Sequence, residues 1–230
     1  MVQLSKRLLM VANMVTKGNR VADIGCDHAY TSIYLVEKKI SNHIIAMDIN
    51  KGPLERAKEH VKLYGCEEQI DIRLSDGAKE LGMEEADTIL ISGMGGLLTI
   101  HILENSKEVV QRVNELILQP QSEIAQVRRY LHSIGFSIID EDMLIEDGKY
   151  YTALHAIKGK DNYEDEIDYS YGRILLQKKN ITLYEFLNNG INKYAEIIAK
   201  LNSQEYDRNK QRLSELKSEK EIMEKALKHF

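Results

Sequence analysis

Short apolar runs alternate with amphipathic stretches along the first 158 residues. Leu4, Leu8, Val11 and Val15 recur at helical spacing, which predicts a helix over Leu4–Val15. Val21–Ile24 reads as a strand, Thr31–Lys38 as a helix, His43–Asp48 as a second strand and Lys51–Leu63 as a helix. Pro53 falls in the first turn of that helix, where its missing N–H is tolerated. Ile70–Leu74 and Thr88–Ile91 are the third and fourth strands. Leu97–Asn105 and Lys107–Val113 are helical, and Leu116–Leu118 is a fifth strand that stops at Gln119-Pro120. Glu123–Ser133 is helical; Phe136–Met143 and Tyr150–Lys158 are extended. The turn Glu146-Asp147-Gly148-Lys149 is short, so these last two strands run antiparallel. The pattern predicts an α/β protein whose parallel sheet closes with an antiparallel hairpin.

After Lys158 the strand signals stop. Gly159–Glu166 is a polar, acidic connector. Tyr169–Lys179 is predicted helical. Leu183, Leu187, Ile191, Tyr194, Ile198 and Leu201 mark a long second helix, and Leu213, Leu216, Met223 and Leu227 a third. With Asn202-Ser203 as the turn, the last two fold back as an antiparallel coiled-coil hairpin. Lys220 falls on its seam, so the register is imperfect; a helix extended into solvent or used for dimerisation is the alternative. Residues 1–158 and 159–230 are therefore read as two domains.

Composition narrows the class. The chain has 43% hydrophobic and 29% charged residues, ordinary for a globular protein. No apolar run approaches the roughly 20 residues that span a bilayer, and Met1–Arg7 lacks the apolar core of a signal peptide. A cytoplasmic protein is expected. The two cysteines, Cys26 and Cys66, lack the spacing of a zinc site or a disulfide framework, so no metal is expected. The net charge is −5, yet residues 169–230 carry 12 basic and 8 acidic side chains. An acidic domain with a mildly basic tail is compatible with an RNA partner and does not demand one.

The richest stretch is Arg20–Leu35. A strand breaks at Gly25 into a polar turn and resumes as a helix, which places a ligand at a strand end beside a helix N-terminus. The motif is Asp23-x-Gly25-x-Asp27-x-Ala29, with Asp27 and Ala29 where a pyrophosphate-binding loop has glycines. A carboxylate there repels a pyrophosphate and attracts the amino and sulfonium groups of S-adenosylmethionine. That choice favours methyl transfer over NAD chemistry. Cys26 reads as a small buried side chain rather than a nucleophile. Asp48, about 20 residues further on, suits a ribose diol, or else a helix N-terminus ahead of Lys51. Asp76 in Ser75-Asp76-Gly77 suits an adenine amino group, or else a plain Asp-Gly turn. Ser92-Gly93-Met94-Gly95-Gly96 supplies close backbone approach, and it replaces the Asn/Asp-Pro-Pro-Tyr/Phe motif frequent in amino-methylating enzymes. Lys6 and Arg7 face a cofactor carboxylate, RNA phosphate or solvent; Arg128 and Arg129 read as surface charges.

Leu4-Ser-Lys-Arg-Leu8, Ala22–Tyr30, Asp48-Ile-Asn50, Ser75-Asp-Gly77, Gly93-Met-Gly-Gly96 and Leu118-Gln-Pro120 together resemble the bacterial tRNA (adenine(22)-N1)-methyltransferase family, TrmK. The resemblance spans the whole chain. It implies a class I methyltransferase Rossmann-like sheet with a C-terminal all-α coiled-coil hairpin, and transfer of a methyl group from S-adenosylmethionine to N1 of adenine 22 in tRNA. The expected cofactor-binding residues are Arg7, Asp23, Gly25, Asp27, His28, Asp48, Ile49, Asp76, Gly77, Gly93, Met94 and Gly95. Asp27, His28 and Tyr30 are the expected catalytic group: Asp27 for the charge on the methylated adenine or for the cofactor's methionine part, His28 for orientation, Tyr30 for stacking on a flipped base. Lys193, Lys200, Arg208, Lys210, Arg212 and Lys217 are candidates for following the tRNA backbone. The favoured oligomeric state is a monomer. The rival readings are a small-molecule methyltransferase whose helical tail dimerises and a non-catalytic cofactor-binding scaffold.

Overall fold

Val21–Ile24 forms β1, buried at all four positions near the middle of a seven-stranded sheet. Buried parallel strands read as continuous apolar runs because both faces are covered. In the computed structural model, which describes residues 1–202 and 210–230, the chain divides into two compact units, Met1–Asn162 and Tyr163–Phe230. The other strands of the first unit are β2 (Ile44–Asp48), β3 (Ile70–Leu74), β4 (Thr88–Met94), β5 (Glu115–Pro120), β6 (Phe136–Glu146) and β7 (Lys149–Lys158). Their order is β3-β2-β1-β4-β5-β7-β6. Strands β1 to β5 pair parallel, and β7 runs antiparallel to both β5 and β6. The strand order reverses between β1 and β4, the place where open α/β sheets bind ligands.

Helices α1 (Lys6–Met14), α2 (Tyr30–Glu37), α3 (Lys51–Leu63), α4 (Gly96–Asn105), α5 (Lys107–Val110) and α6 (Ile124–Ser133) complete this unit. Ser5 caps α1 by accepting from the Leu8 N–H. The Glu146 carboxylate accepts from the Lys6 N–H at 2.6 Å, tying the start of α1 to the end of β6. The β6–β7 turn is Asp147-Gly148, both with positive φ (49° and 73°), as a two-residue hairpin requires. At the start of β5, Glu115 is buried among hydrogen bonds from Thr16, Thr88, Asn19 and His155.

In this unit β5 runs from Glu115 through Pro120 instead of stopping at Gln119-Pro120, and three further expectations change. Strand β4 continues through Ser92 and Gly93 to Met94, with a register shift between Ser92 and Met94, so part of the expected glycine loop is strand. Helix α5 is a single turn ending at Val110 rather than Val113. Arg128 is not a surface charge: it is 1% exposed, and its Nε donates to the Glu141 carboxylate of β6 at 2.7 Å. Arg129, its neighbour, is exposed.

The second unit contains α7 (Glu166–Tyr171), α8 (Arg173–Gln177), α9 (Ile181–Asn202) and α10 (Lys210–Leu227). The expected single helix over Tyr169–Lys179 is two, because Gly172 takes φ +89° and breaks it. Helices α9 and α10 lie antiparallel. The Tyr184 and Phe230 rings meet at 5.4 Å, and Met223 packs on Gly190, where a Cβ would stand 2.7 Å from its sulfur. Lys220 is half-buried and pairs with Glu224. Ser203 of the expected turn, and Arg208, lie outside the described residues. Among the described residues no helix is long and apolar enough to cross a membrane.

Candidate active site

The site starts where β1 ends. Gly25 takes φ +74°, and the N–H groups of Gly25 and Cys26 both donate to the Met47 carbonyl of β2, at 2.8 and 2.9 Å. Asp27 (φ +50°) and Ala29 (φ +59°) also hold left-handed backbones. These are the two positions where a glycine-rich loop has glycine. A non-glycine residue bears roughly 1–2 kcal/mol of strain there, less for aspartate than for alanine. Ala29 is fully buried and stands at the N-cap of α2, where it offers no side-chain cap to the N–H groups of the first turn.

The same turn interlocks with the end of β4. A Cβ on Gly25 would lie 2.2 Å from Met94 Cε, so the Met94 side chain occupies the space that Gly25 leaves. Gly93 (φ +80°) brings its backbone close to Arg7, whose Nη1 lies 3.4 Å from where a Cβ would stand. Arg7 in turn lies over the Tyr151 ring, 5.8 Å from its centroid.

Around this junction is a cavity of about 540 Å³, within the range of small-molecule sites. Arg7, Asp23, Gly25, Asp27, His28, Tyr30, Asp48, Ile49, Asp76, Gly77, Gly93 and Met94 all line it. Gly95 does not: it caps α4 behind the cavity, with Ser122 Oγ 3.3 Å from its Cβ position. Leu98, His101, Ile102, Asn105 and Gln121 also line the cavity and carried no motif in the sequence. All but Gln121 belong to α4, whose apolar run reads as core packing.

The carboxylates differ in environment. Asp23 is 3% exposed and accepts from Ser32 Oγ at 2.7 Å. Burial pushes its carboxyl up to about 6; the Ser32 hydrogen bond opposes that rise and the nearby Asp48 charge adds to it. Asp48 is half-buried, with Oδ1 accepting from the Asn50 N–H at 2.8 Å. Asp76 is exposed and pairs with Lys79. Asp27 is the open one, its side chain 69% exposed at the rim. The Cys26 thiol is driven far above its ordinary range by burial, and further by Asp23, Asp48 and Asp27. A thiol held protonated in this way is inert as a nucleophile.

His28, Tyr30 and His60 form a ring cluster beside the turn, with centroids 4.7 to 5.7 Å apart. Nδ1 of His28 is buried with no hydrogen-bond partner among the described residues. His60 belongs to no motif in the sequence. Its one signal is helical spacing, three residues after Ala57 on the inward edge of α3.

A methyltransferase-domain family model matches residues 4–154. The chain is 35% identical to the tRNA (adenine(22)-N(1))-methyltransferase of Bacillus subtilis (strain 168), over 99% of this chain and 98% of that protein. The crystal structure of the B. subtilis M1A22 tRNA methyltransferase TrmK superposes with TM-score 0.87 at 33% identity, covering 99% of this chain and 100% of that one. The structure of M. capricolum TrmK in complex with S-adenosyl-homocysteine has TM-score 0.86 and 27% identity, with 98% of both chains covered. Cavity, sheet and helical unit thus agree with the resemblance first read from the motifs, and the chain belongs to the tRNA (adenine(22)-N(1))-methyltransferase family.

Proposed function

We propose that this chain methylates N1 of adenine 22 in tRNA, with S-adenosylmethionine as the donor. The observation that carries the reading is the full-length likeness to the B. subtilis enzyme, helical unit included. The cavity suits the cofactor: carboxylates stand at successive strand ends, and a buried His28 nitrogen faces no protein partner among the described residues.

When bound, S-adenosylmethionine supplies a sulfonium methyl group for direct transfer to a nitrogen lone pair. The protein's contribution is then mainly positioning, worth on the order of 7 kcal/mol or more for well-oriented pairs. Asp23 sets a negative charge beneath the cationic donor. Asp48 receives the ribose hydroxyls, and Asp76 the adenine amino group of the cofactor. Arg7 meets the cofactor's carboxylate. Ile49, Gly93 and Met94 line the walls, with Gly95 supporting α4. Asp27 is reachable from solvent and faces the positive charge that develops on the methylated adenine. His28 orients the turn, and Tyr30 offers an aromatic face to the flipped base.

The helical unit, residues 159–230 in the sequence reading, follows the tRNA backbone through Lys193, Lys200, Arg212 and Lys217, which are exposed on α9 and α10. The enzyme works as a cytoplasmic monomer, with no metal.

The test is incubation of the full chain with methyl-labelled S-adenosylmethionine and a tRNA transcript bearing adenine 22, followed by nucleoside mapping. One 1-methyladenosine at position 22 is expected, and none on a transcript with guanine there. Asp27→Ala is expected to lose turnover while remaining folded; near-normal turnover would remove Asp27 from the mechanism.

A further inference from the structure

Gln121 lines the cavity just past the end of β5. The main chain there is locked to the neighbouring strand end. The Gln121 N–H donates to the Met94 carbonyl at 2.8 Å, and Ser122 Oγ accepts from the Gly96 N–H at 3.3 Å. A Cβ on Gly96 would stand 2.3 Å from the Ser122 carbonyl oxygen, so this turn and the start of α4 fit together with no spare room. Glu123 ends the turn at φ +48°, a left-handed backbone that is strained for a non-glycine residue and persists only where its surroundings hold it. Gln121 therefore projects from a fixed point.

Its amide is chemically uncommitted. The hydroxyl of Ser92, also in the cavity wall, donates to Gln119 Oε1 at 3.3 Å, whereas the Gln121 side chain has no hydrogen-bond partner among the described residues. Arg7, across Gly93, offers donors only. Arg7 Nη1 stands 3.4 Å and Gln121 Nε2 3.8 Å from where a Cβ on Gly93 would be, so the glycine leaves a gap between the two heads. The gap lies at the ends of β4 and β5, on the other side of β1 from β2 and β3, whose ends carry Asp48 and Asp76. With the cofactor's nucleoside held by those carboxylates, the methyl acceptor enters from the β4–β5 side.

An adenine whose N1 is the nucleophile must be held by another edge. Its N7 is an acceptor and its N6 amino group a donor, and one glutamine amide meets both, accepting from N6–H and donating to N7. Guanine presents two acceptors, O6 and N7, and sets an oxygen against the amide oxygen. We propose that Gln121 is a specificity-determining residue for the target adenine, reading its N6/N7 edge while N1 faces the donor. The proposal rests on the adenine-N1 reading above and deepens it by naming the side chain that recognises the base.

The test compares kcat/KM of the full wild-type chain, Gln121→Ala and Gln121→Glu on two tRNAs, one with adenosine and one with 7-deazaadenosine at position 22. Carbon in place of N7 also alters the basicity of N1, but equally for every protein, so the comparison cancels it. Gln121→Ala is expected to lose about tenfold or more on the adenosine tRNA, with KM for S-adenosylmethionine changed by less than about twofold. The preference for adenosine over its 7-deaza analogue is expected to be about fivefold greater in the wild type than in Gln121→Ala, the worth of one hydrogen bond. Gln121→Glu keeps an acceptor for N6–H and has no donor for N7, so it is expected to lose the same preference. An equal preference in the wild type and both variants makes Gln121 merely structural and overturns the proposal. A KM for S-adenosylmethionine that rises in step with the loss of kcat/KM gives the amide to the cofactor and overturns it too. A wild-type chain that methylates neither tRNA removes the underlying reading, and the Gln121 proposal with it; equal preferences in an active chain overturn the Gln121 proposal alone.

Discussion

Asp23 is expected to cost stability at neutral pH, and Asp23→Asn to recover part of it. The carboxylate is 3% exposed at the floor of the cavity and is pushed from 3.8 to about 6, chiefly by burial. At about 1.4 kcal/mol for each tenfold change in proton affinity, ionising it in the fold costs about 3 kcal/mol relative to the unfolded chain. The sign follows from the direction. The folded state holds the proton more tightly, so the stabilisation from protonation is complete below the unfolded value and lost as pH rises through about 6. About half of the cost is relieved by pH 5. Asparagine keeps an oxygen to accept from Ser32 Oγ, and its buried amide N–H groups forfeit about 1–2 kcal/mol. The net gain at pH 7.5 is therefore about 1–2 kcal/mol, or roughly 2–8 °C in the melting midpoint of a unit this size. Thermal unfolding of both proteins at pH 7.5 and pH 5 is the assay. The advantage of Asp23→Asn should be largest at pH 7.5 and shrink at pH 5, while its affinity for the cationic cofactor falls. A variant less stable at pH 7.5, or equally advantaged at both values, refutes the reasoning.

Other consequences are as direct. Gly25→Ala places a methyl group on a left-handed backbone and pushes Met94 toward the cavity; calorimetry should show cofactor affinity down more than about tenfold with about 1–2 kcal/mol of stability lost. Arg128→Ala removes a buried ion-pair partner of the Glu141 carboxylate, so urea unfolding should show a loss of about 3–5 kcal/mol, and less than about 1 kcal/mol would deny the ion pair its role. Binding of tRNA should weaken steeply between low and moderate salt, because phosphate contacts release counterions; an unchanged affinity rules those contacts out.

Much of this was legible in the chain. Val21–Ile24, buried at all four positions, and the edge strand Ile70–Leu74, which alternates apolar and polar residues, were readable to the residue. Asp27 and Ala29 stood at glycine positions, and both adopt glycine-like backbones. The failures share a cause, which is tertiary partnership. Arg128 reads as a surface charge until Glu141 arrives from β6 to pair with it. Gly93 reads as loop because local propensity cannot show that β5 continues to pair alongside it, up to Pro120. Gly172 sits inside an apolar period that helical spacing bridges and a positive φ breaks. His60 has no motif, since its partners lie 30 and 32 residues away along the chain, beside the β1 turn, and meet it only when α2 and α3 pack side by side.

On the proposed function, adenine N1 is the atom methylated at the cavity above β1 and β4. The most direct measurement uses a tRNA carrying 1-deazaadenosine at position 22, in which carbon replaces N1 and the amino group remains. This tRNA is expected to bind with an affinity close to that of the unmodified transcript and to accept no methyl group. Methyl incorporation at the unmodified rate would contradict it.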